Sequence, residues 1–427
     1  MKRLKVLISS HEFSPYQGSE CAVGWNIVTR MAAHHDVTIL CAEGAPGHPA
    51  SYRNAVTDYF TTHGEIPGLR IVYVSHPPKT LRCAHLNRWL MKMTRGAGWQ
   101  ILFFIGLNAW HRAAFCSAEK IGLEIFDVVH QLTPISFRRP GFLAASHRPF
   151  FWGPIGGMYR VPNAFASMGD LKSRVFERVR SSNIENVIRS GHFRNLVRSA
   201  ACIWTITEDE RRIIEALAPG KPAPMIDTAP PDDIHGHLRV FDGKRPLRLC
   251  WSGRHEAIKA LPLLLEALAQ LPAPERVQLT VIGEGSESSK WKSMTERLQL
   301  RTVTWLGRLP YQEALQIMGQ SDVFVHSSYR EAASMVVLEA LGWGMPVICH
   351  DACGMAVAVN EACGIKVPLE TPARSITGFR EAILNLLQKP WRVQQLSEGA
   401  LRRAEALSWN AKVNEMAEAY VRHAMPN

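Results

Sequence analysis

At 427 residues, with 46% hydrophobic and 20% charged side chains, the chain is globular in composition and too long for one core, so two domains are expected. Nine cysteines without CxxC pairs, and a first apolar run too short for a secretory leader, exclude a disulfide scaffold and a zinc module. No apolar run reaches the 18 residues of a membrane span. The formal net charge of +11 is uneven, 27 Lys/Arg against 19 Asp/Glu in residues 1–236 and 22 against 19 thereafter. The first half therefore suits an anionic surface or a phosphorylated partner, or simply presents a solvated basic face.

In chain order, Lys5 to Ser9 reads as a buried strand, followed by a turn containing Gly18 and Ser19, a helix over Val23 to Ala33, and a strand from Val37 to Cys41. Glycine at that junction lets backbone N–H groups approach a phosphate, although most such glycines only make a turn. Leu69 to Val74 is the next strand. The tract Lys79 to Phe115 then mixes Arg82, Arg88, Lys92, Arg95 and Arg112 with Trp89, Trp99, Phe103, Phe104 and Trp110, and has no acidic residue. It fits either the headgroup layer of an anionic membrane or a core-facing helix pair with a basic outer face. Nothing in it resembles a nucleic-acid recognition module.

Phe126 to Val129 leads into His130, which a parallel strand's carboxyl end aims at the ligand crevice, unless the ring is structural. Pro149 to Trp152 ends in the glycine-dense turn Gly153-Pro154-Ile155-Gly156-Gly157. Residues 171–198 are basic and helical in pattern, and Ile203 to Thr207 precedes a helix over Glu208 to Leu217. The Pro-rich, aperiodic stretch from Pro222 to Pro246 reads as the linker between domains.

A second alternating series follows: strands Leu247–Trp251, Val277–Ile282 and Val303–Trp305, with helices Leu261–Leu271, Ser288–Leu298 and Tyr311–Met318. Its strands end in Ser252-Gly253-Arg254, Gly283-Glu284-Gly285 and Gly307-Arg308-Leu309, and Lys259 stands five residues after Arg254. Two cations beside a Gly turn form an anion clamp. Val323 to Val325 then opens a compact βαβ unit over Ser327 to Ile348. Glu331 lies in its turn, free to reach into a crevice, and Glu339 lies on a helix, Met335 to Trp343, that is apolar nearly all round. A carboxylate there needs a hydrogen-bond partner, either an internal one or a ligand's hydroxyl pair. The stretch Gly364-Ile365-Lys366-Val367-Pro368, a helix from Ala373 to Gln388 and a last helix ending near His423 complete the chain. The sum is an α/β protein of two doubly wound domains facing a cleft. No GxGxxG, Walker sequence, GxSxG or metal-ligand cluster appears.

With SGR at Ser252–Arg254, Lys259, VIGEG at Val281–Gly285, WLGRL at Trp305–Leu309, Glu331 with Glu339 eight residues on, and Ser408-Trp409, the chain resembles the family 4 retaining glycosyltransferases, also called glycosyl transferases group 1. The GSE…GW stretch at Gly18–Trp25, His130 and the GPIGG turn look like an exopolysaccharide or cell-surface glycan branch. The resemblance implies a GT-B fold with residues 1–225 as the acceptor-side Rossmann-like domain, 226–246 as linker, 247–404 as the nucleotide-sugar domain, and 405–427 crossing back to the first domain.

It further implies that Arg254 and Lys259 neutralise the diphosphate leaving group, aided by Gly253, Gly283 and the N–H groups of Ala333, Ser334 and Met335. Glu331 holds sugar hydroxyls, Glu339 the ribose hydroxyls, Arg308 and Leu309 frame the base, Gly18 admits the diphosphate, and His130 sits near the transferred sugar. The implied reaction moves a hexose-type sugar from a nucleotide donor to a glycan or lipid-linked acceptor. Configuration is retained, no metal is required, and the site is the inner face of the cell membrane, with residues 79–115 on an anionic surface. A nucleotide-sugar epimerase and a donor-binding subunit without turnover stay open as rivals. Where many relatives carry Gly-Phe-Gly after the first Glu, this chain has Ala332-Ala333-Ser334, and their later GG…E is reduced to Cys353-Gly354-Met355.

Overall fold

A computed structural model describes residues 3–48, 50–93, 100–168 and 171–424, so Arg95 and Trp99 of the basic-aromatic tract lie outside the described residues. The first domain contains β1 (Lys5–Ser10), α1 (Ser19–Met31), β2 (Asp36–Ala42), α2 (Ser51–His63), β3 (Leu69–Val74), α3 (Pro78–Met93), α4 (Gln100–Ile121), β4 (Val128–Thr133), β5 (Phe150–Ile155), α5 (Leu171–Arg189), α6 (Gly191–Ser199), β6 (Cys202–Thr205), α7 (Glu208–Leu217) and β7 (Pro222–Pro224). The second contains β8 (Leu247–Ser252), α8 (Leu261–Ala269), β9 (Val277–Ile282), α9 (Ser288–Arg297), β10 (Val303–Gly307), α10 (Tyr311–Met318), β11 (Val323–His326), α11 (Met335–Gly342), β12 (Val347–His350), α12 (Cys353–Ala358), β13 (Gly364–Val367), α13 (Pro372–Gln388), α14 (Trp391–Ala406) and α15 (Trp409–Ala424).

All described ladders are parallel, in the orders β3-β2-β1-β4-β5-β6-β7 and β10-β9-β8-β11-β12-β13. Helices cover both faces, which is why the central strands read as unbroken apolar runs such as β2 and β5. In each sheet the chain reverses direction between its first and fourth strands, and a crevice opens there at the carboxyl ends. The ends of β1 and β4 therefore frame one half of the site, and those of β8 and β11 the other.

Helix α15 returns to the first domain. Trp409, Val413, Met416 and Tyr420 bury themselves among the side chains of β1, β2 and α1. Lys412 fastens this crossing, its ammonium donating to the carbonyls of Thr228 and Leu407, each at 2.6 Å. Burial lowers the Lys412 pKa to about 7, and the nearby charge of Asp227 opposes that shift.

Several elements differ from the sequence reading. Pro222–Pro224 is the edge strand β7, a place where proline's missing N–H faces away from the ladder. The strand expected to end at Val129 instead spans Val128–Thr133, and β5 runs through Gly153-Pro154 to Ile155. Helix α12 was unforeseen. It starts at the sequence Cys353-Gly354-Met355, where Gly354 donates to the carbonyl of Ala332 at 2.8 Å and a Cβ would stand only 2.0 Å from that oxygen. The short glycine motif thus backs the turn that carries Glu331.

Candidate active site

Lys259 and Glu331 are 72 positions apart yet meet because two loops are sewn together. The hydroxyl of Ser327 donates to the carbonyl of Lys259 (2.8 Å), that of Ser328 to Ile258 (2.9 Å), and the N–H of Tyr329 also reaches Ile258 (3.1 Å). The buried indole of Trp251 at the end of β8 bonds the same Ser327 hydroxyl at 3.0 Å. On this frame the Lys259 ammonium donates to Glu331 Oε2, with the two side chains 14% and 22% exposed. His326, wholly buried at the end of β11, places Nε2 3.7 Å from the same carboxylate oxygen and 3.1 Å from Ser334 Oγ. Burial pushes the Glu331 carboxyl up, but the His326 side chain and the Lys259 charge outweigh it and hold the carboxyl down at about 2. Glu331 is therefore a pinned anion rather than a free arm in a turn.

Arg254 stands apart from this pair. Its side chain is 77% exposed, with only Glu256 at 2.9 Å. It lines a cavity of about 1250 Å³, together with Gly253, Gly283, Arg308, Leu309 and Tyr311. Gly283 has φ +121 and its Cβ would lie 2.0 Å from the carbonyl oxygen of Gly253, so only glycine lets the ends of β8 and β9 close up at the cavity wall. Lys259, Glu331 and Glu339 are not among the residues lining that cavity. The partner of Glu339 is neither an arginine nor backbone: the Tyr311 hydroxyl donates to its Oε1 at 2.9 Å. Burial raises the Glu339 pKa, and the Tyr311 hydrogen bond opposes that shift. Since Tyr311 is itself a cavity residue, Glu339 lies one hydroxyl away from that space. Ala333 and Ser334 lead into Met335 at the start of α11, where the Ser334 carbonyl accepts from the N–H groups of Val337 (3.0 Å) and Leu338 (3.4 Å).

His130 requires a correction. Because β4 continues to Thr133, the ring sits inside the sheet and is fully buried. Nε2 donates to the Gly153 carbonyl at 2.7 Å, which leaves Nδ1 to accept from the Tyr420 hydroxyl at 2.5 Å. Burial lowers its pKa to about 4. His130 links β4, β5 and α15, and it does not reach the crevice.

The carboxyl groups facing the first domain's crevice went unnoticed in the sequence. Glu20, on the first turn of α1, accepts from the Ile135 N–H just past β4 at 3.4 Å. Burial and then the charge of Glu12 push its pKa up to about 8. Asp227 is raised to about 6 by burial, and its Oδ1 has no hydrogen-bond partner. A Glu at the first turn of a helix beside a Gly turn was a readable signal, whereas Asp227 sits in an aperiodic stretch that gives none. Gly18, at φ +60, is exposed beside them. Across the crevice, Arg330 pairs with Glu177 of α5, and Arg180 bonds both Glu177 (3.3 Å) and the Gly157 carbonyl (3.3 Å). The residue next to Glu331 thus grips the opposite domain, through the glycine-dense turn.

Two doubly wound parallel domains meeting at their strand ends, with a terminal helix returned to the first, constitute the GT-B fold. Sucrose-phosphate synthase from Thermosynechococcus elongatus superposes with a TM-score of 0.63 at 16% identity, over 98% of this chain and 99% of that one. Anabaena HepE in complex with UDP and glucose gives 0.52 at 15% identity, over 98% and 100%. In sequence, residues 241–403, most of the second domain, match the family Glycosyl transferases group 1. Lipopolysaccharide glucosyltransferase WaaG of Escherichia coli (strain K12) is 33% identical over 100 residues, 22% of this chain and 26% of that enzyme. The matched stretch therefore spans about a quarter of that relative's length.

Proposed function

We propose that the chain is a retaining glycosyltransferase moving a hexose-type sugar from a nucleotide-sugar donor to a glycan or lipid-linked acceptor in exopolysaccharide or cell-surface polysaccharide synthesis. The supporting observation is the cavity of about 1250 Å³ that Gly253, Arg254 and Arg308 line at the second domain's strand ends, with the Lys259–Glu331 pair on the adjoining loops after β8 and β11, all within the stretch that matches group 1. In this reading the donor's diphosphate meets the exposed Arg254 and draws Lys259 partly away from Glu331, which then accepts hydroxyls of the sugar. The α11 N-terminus adds positive potential where charge develops as the glycosidic bond breaks. The acceptor hydroxyl attacks the face the diphosphate leaves, its proton passing to the departing phosphate oxygen, so configuration is retained. Two cations and a helix end supply the charge stabilisation, and no metal is needed.

A thermal-shift panel of UDP-, GDP- and ADP-sugars tests the donor. One base class raises the melting temperature, with a stabilisation of about 2.7 kcal/mol at a hundredfold excess over Kd, and EDTA leaves the shift intact. A flat response across the panel removes the reading.

The same reading makes the protein peripheral on an anionic, cytoplasmic membrane face. Helix α3 exposes Leu86, Trp89 and Met93 on a side that also bears Lys79 and Arg82, and among the described residues no helix is long and apolar enough to cross a bilayer. The protein is expected to float with phosphatidylglycerol vesicles at low salt and to release as salt rises. Equal recovery with neutral vesicles, or none with either, contradicts it.

A further inference from the structure

Helix α3 packs against α4, and of its side chains Thr80 alone is buried. Between the two helices lies a cavity of about 170 Å³, lined chiefly by Cys83, Ala84, Leu102, Phe103 and Leu107, with His11 and Arg88 also on its wall. An apolar cavity of ~150 Å³ holds one benzene, so this space takes about six carbons of a single chain, those next to the headgroup, and excludes a whole lipid. Its surroundings fix the charge of what carries that chain. The sequence has no Asp or Glu between Glu65 and Glu119, while Lys79, Arg82, Arg88 and Lys92 all lie on α3. The Arg88 guanidinium lies against the turn at Gly47, where a Cβ would stand 2.1 Å from Nη1, so a cation borders the apolar space.

The position matters as much as the lining. His11 follows directly on β1, at the carboxyl edge of the first sheet, and Glu12 next to it is electrostatically coupled to Glu20 at the crevice. The cavity and the acceptor half of the crevice are therefore neighbours on one sheet edge.

We propose that this cavity is a binding site for the phosphate-proximal carbons of the acceptor itself, a single-chain lipid phosphate. Arg88, on the cavity wall, holds the phosphate, and the glycan end extends toward Glu20. The proposal rests on the reading of the acceptor as lipid-linked, and its test uses binding alone, so it is scored whether or not the donor reading survives.

Cys83 lines the cavity and is partly accessible, whereas Cys116 on α4 is exposed and outside the cavity lining, an internal control. The full chain is alkylated with iodoacetamide in butyl phosphate, octyl phosphate or dihexanoyl phosphatidic acid below their micelle concentrations, and both cysteines are followed by peptide mass spectrometry. Octyl phosphate is expected to slow Cys83 at least ~5-fold while Cys116 is unchanged, and butyl phosphate to protect weakly. In Ala84→Phe, which fills the space, calorimetric affinity for octyl phosphate falls ~10-fold with the melting temperature of the free protein retained. Equal protection of both cysteines, or protection independent of chain length, overturns the proposal. Stronger protection by the two-chain phosphatidic acid overturns it in favour of a bilayer phospholipid.

Discussion

Arg254→Gln is expected to cut kcat by ~10²–10³ and leave the melting temperature nearly unchanged, while Glu331→Gln loses comparable activity and lowers the melting temperature as well. The first loss is the one seen when a preorganised group facing developing charge is removed. Arg254 is mostly exposed, and a surface substitution of that kind changes stability by no more than ~0.5 kcal/mol. Glu331 differs because its removal strands the Lys259 ammonium in a site where only 14% of that side chain is exposed. Breaking such a pair costs about 1–3 kcal/mol, between the values for surface and fully buried pairs. For a domain of this size that is a drop of ~2–10 °C. The pH dependence provides a second check. The folded carboxyl is held down at about 2, below its unfolded range near 4.5, so its contribution is complete above pH ~4.5 and is lost as pH falls toward 2. The wild-type advantage over Glu331→Gln, measured by urea unfolding, should therefore shrink across that window. An unchanged melting temperature together with full turnover would falsify the assignment of the pair.

What the sequence made legible was whatever depended on local pattern. The central parallel strands of both sheets, the glycine turns at Gly253, Gly283 and Gly307, and the buried setting of Glu339 all follow from runs and spacings within about ten residues, whereas the edge strand β7 reads as linker. What it hid was decided at long range. His130 was misplaced because strand ends are the weakest part of a pattern reading. Four more residues of β4 turn a crevice residue into one whose partner, Tyr420, is 290 positions away. Glu331 read as free because nothing local announces that Ser327 and Ser328 will fasten the Lys259 turn beneath it. The basic-aromatic tract left two readings open, and α3 and α4 explain why. They are a packed helix pair, as one reading required, yet α3 leaves Trp89 53% exposed beside cations, as the other required. Composition alone does not say which face of a helix finds a partner.

Glu339→Gln is expected to weaken binding of the nucleoside diphosphate about 10- to 100-fold, the worth of one or two hydrogen bonds to a charged acceptor. The corresponding 2′,3′-dideoxy nucleotide should bind the variant and the wild type alike. That analogue matters because a buried Glu has an ordinary structural use, and loss of structure would weaken both ligands equally. The observed partner makes the case sharper. The Tyr311 hydroxyl occupies Oε1 in the free protein at 2.9 Å, a hydroxyl in the place a ribose hydroxyl would take. Tyr311 is also 52% exposed on the cavity wall, so it can withdraw without repacking a core. The phenol is then a competitor that nucleotide must displace. Tyr311→Phe should lower the stability of the free protein by about 1–2 kcal/mol, through a buried carboxylate left unpaired, and should raise nucleotide affinity. It should also make that affinity fall more steeply as pH drops, since burial already raises the Glu339 pKa and the hydrogen bond opposing that shift is gone. Calorimetric titration of both nucleotides into wild type, Glu339→Gln and Tyr311→Phe separates the possibilities. If Tyr311→Phe loses affinity instead, the phenol is itself a nucleotide contact. If neither variant distinguishes ribose from dideoxyribose, Glu339 is a structural acid whose only partner is Tyr311.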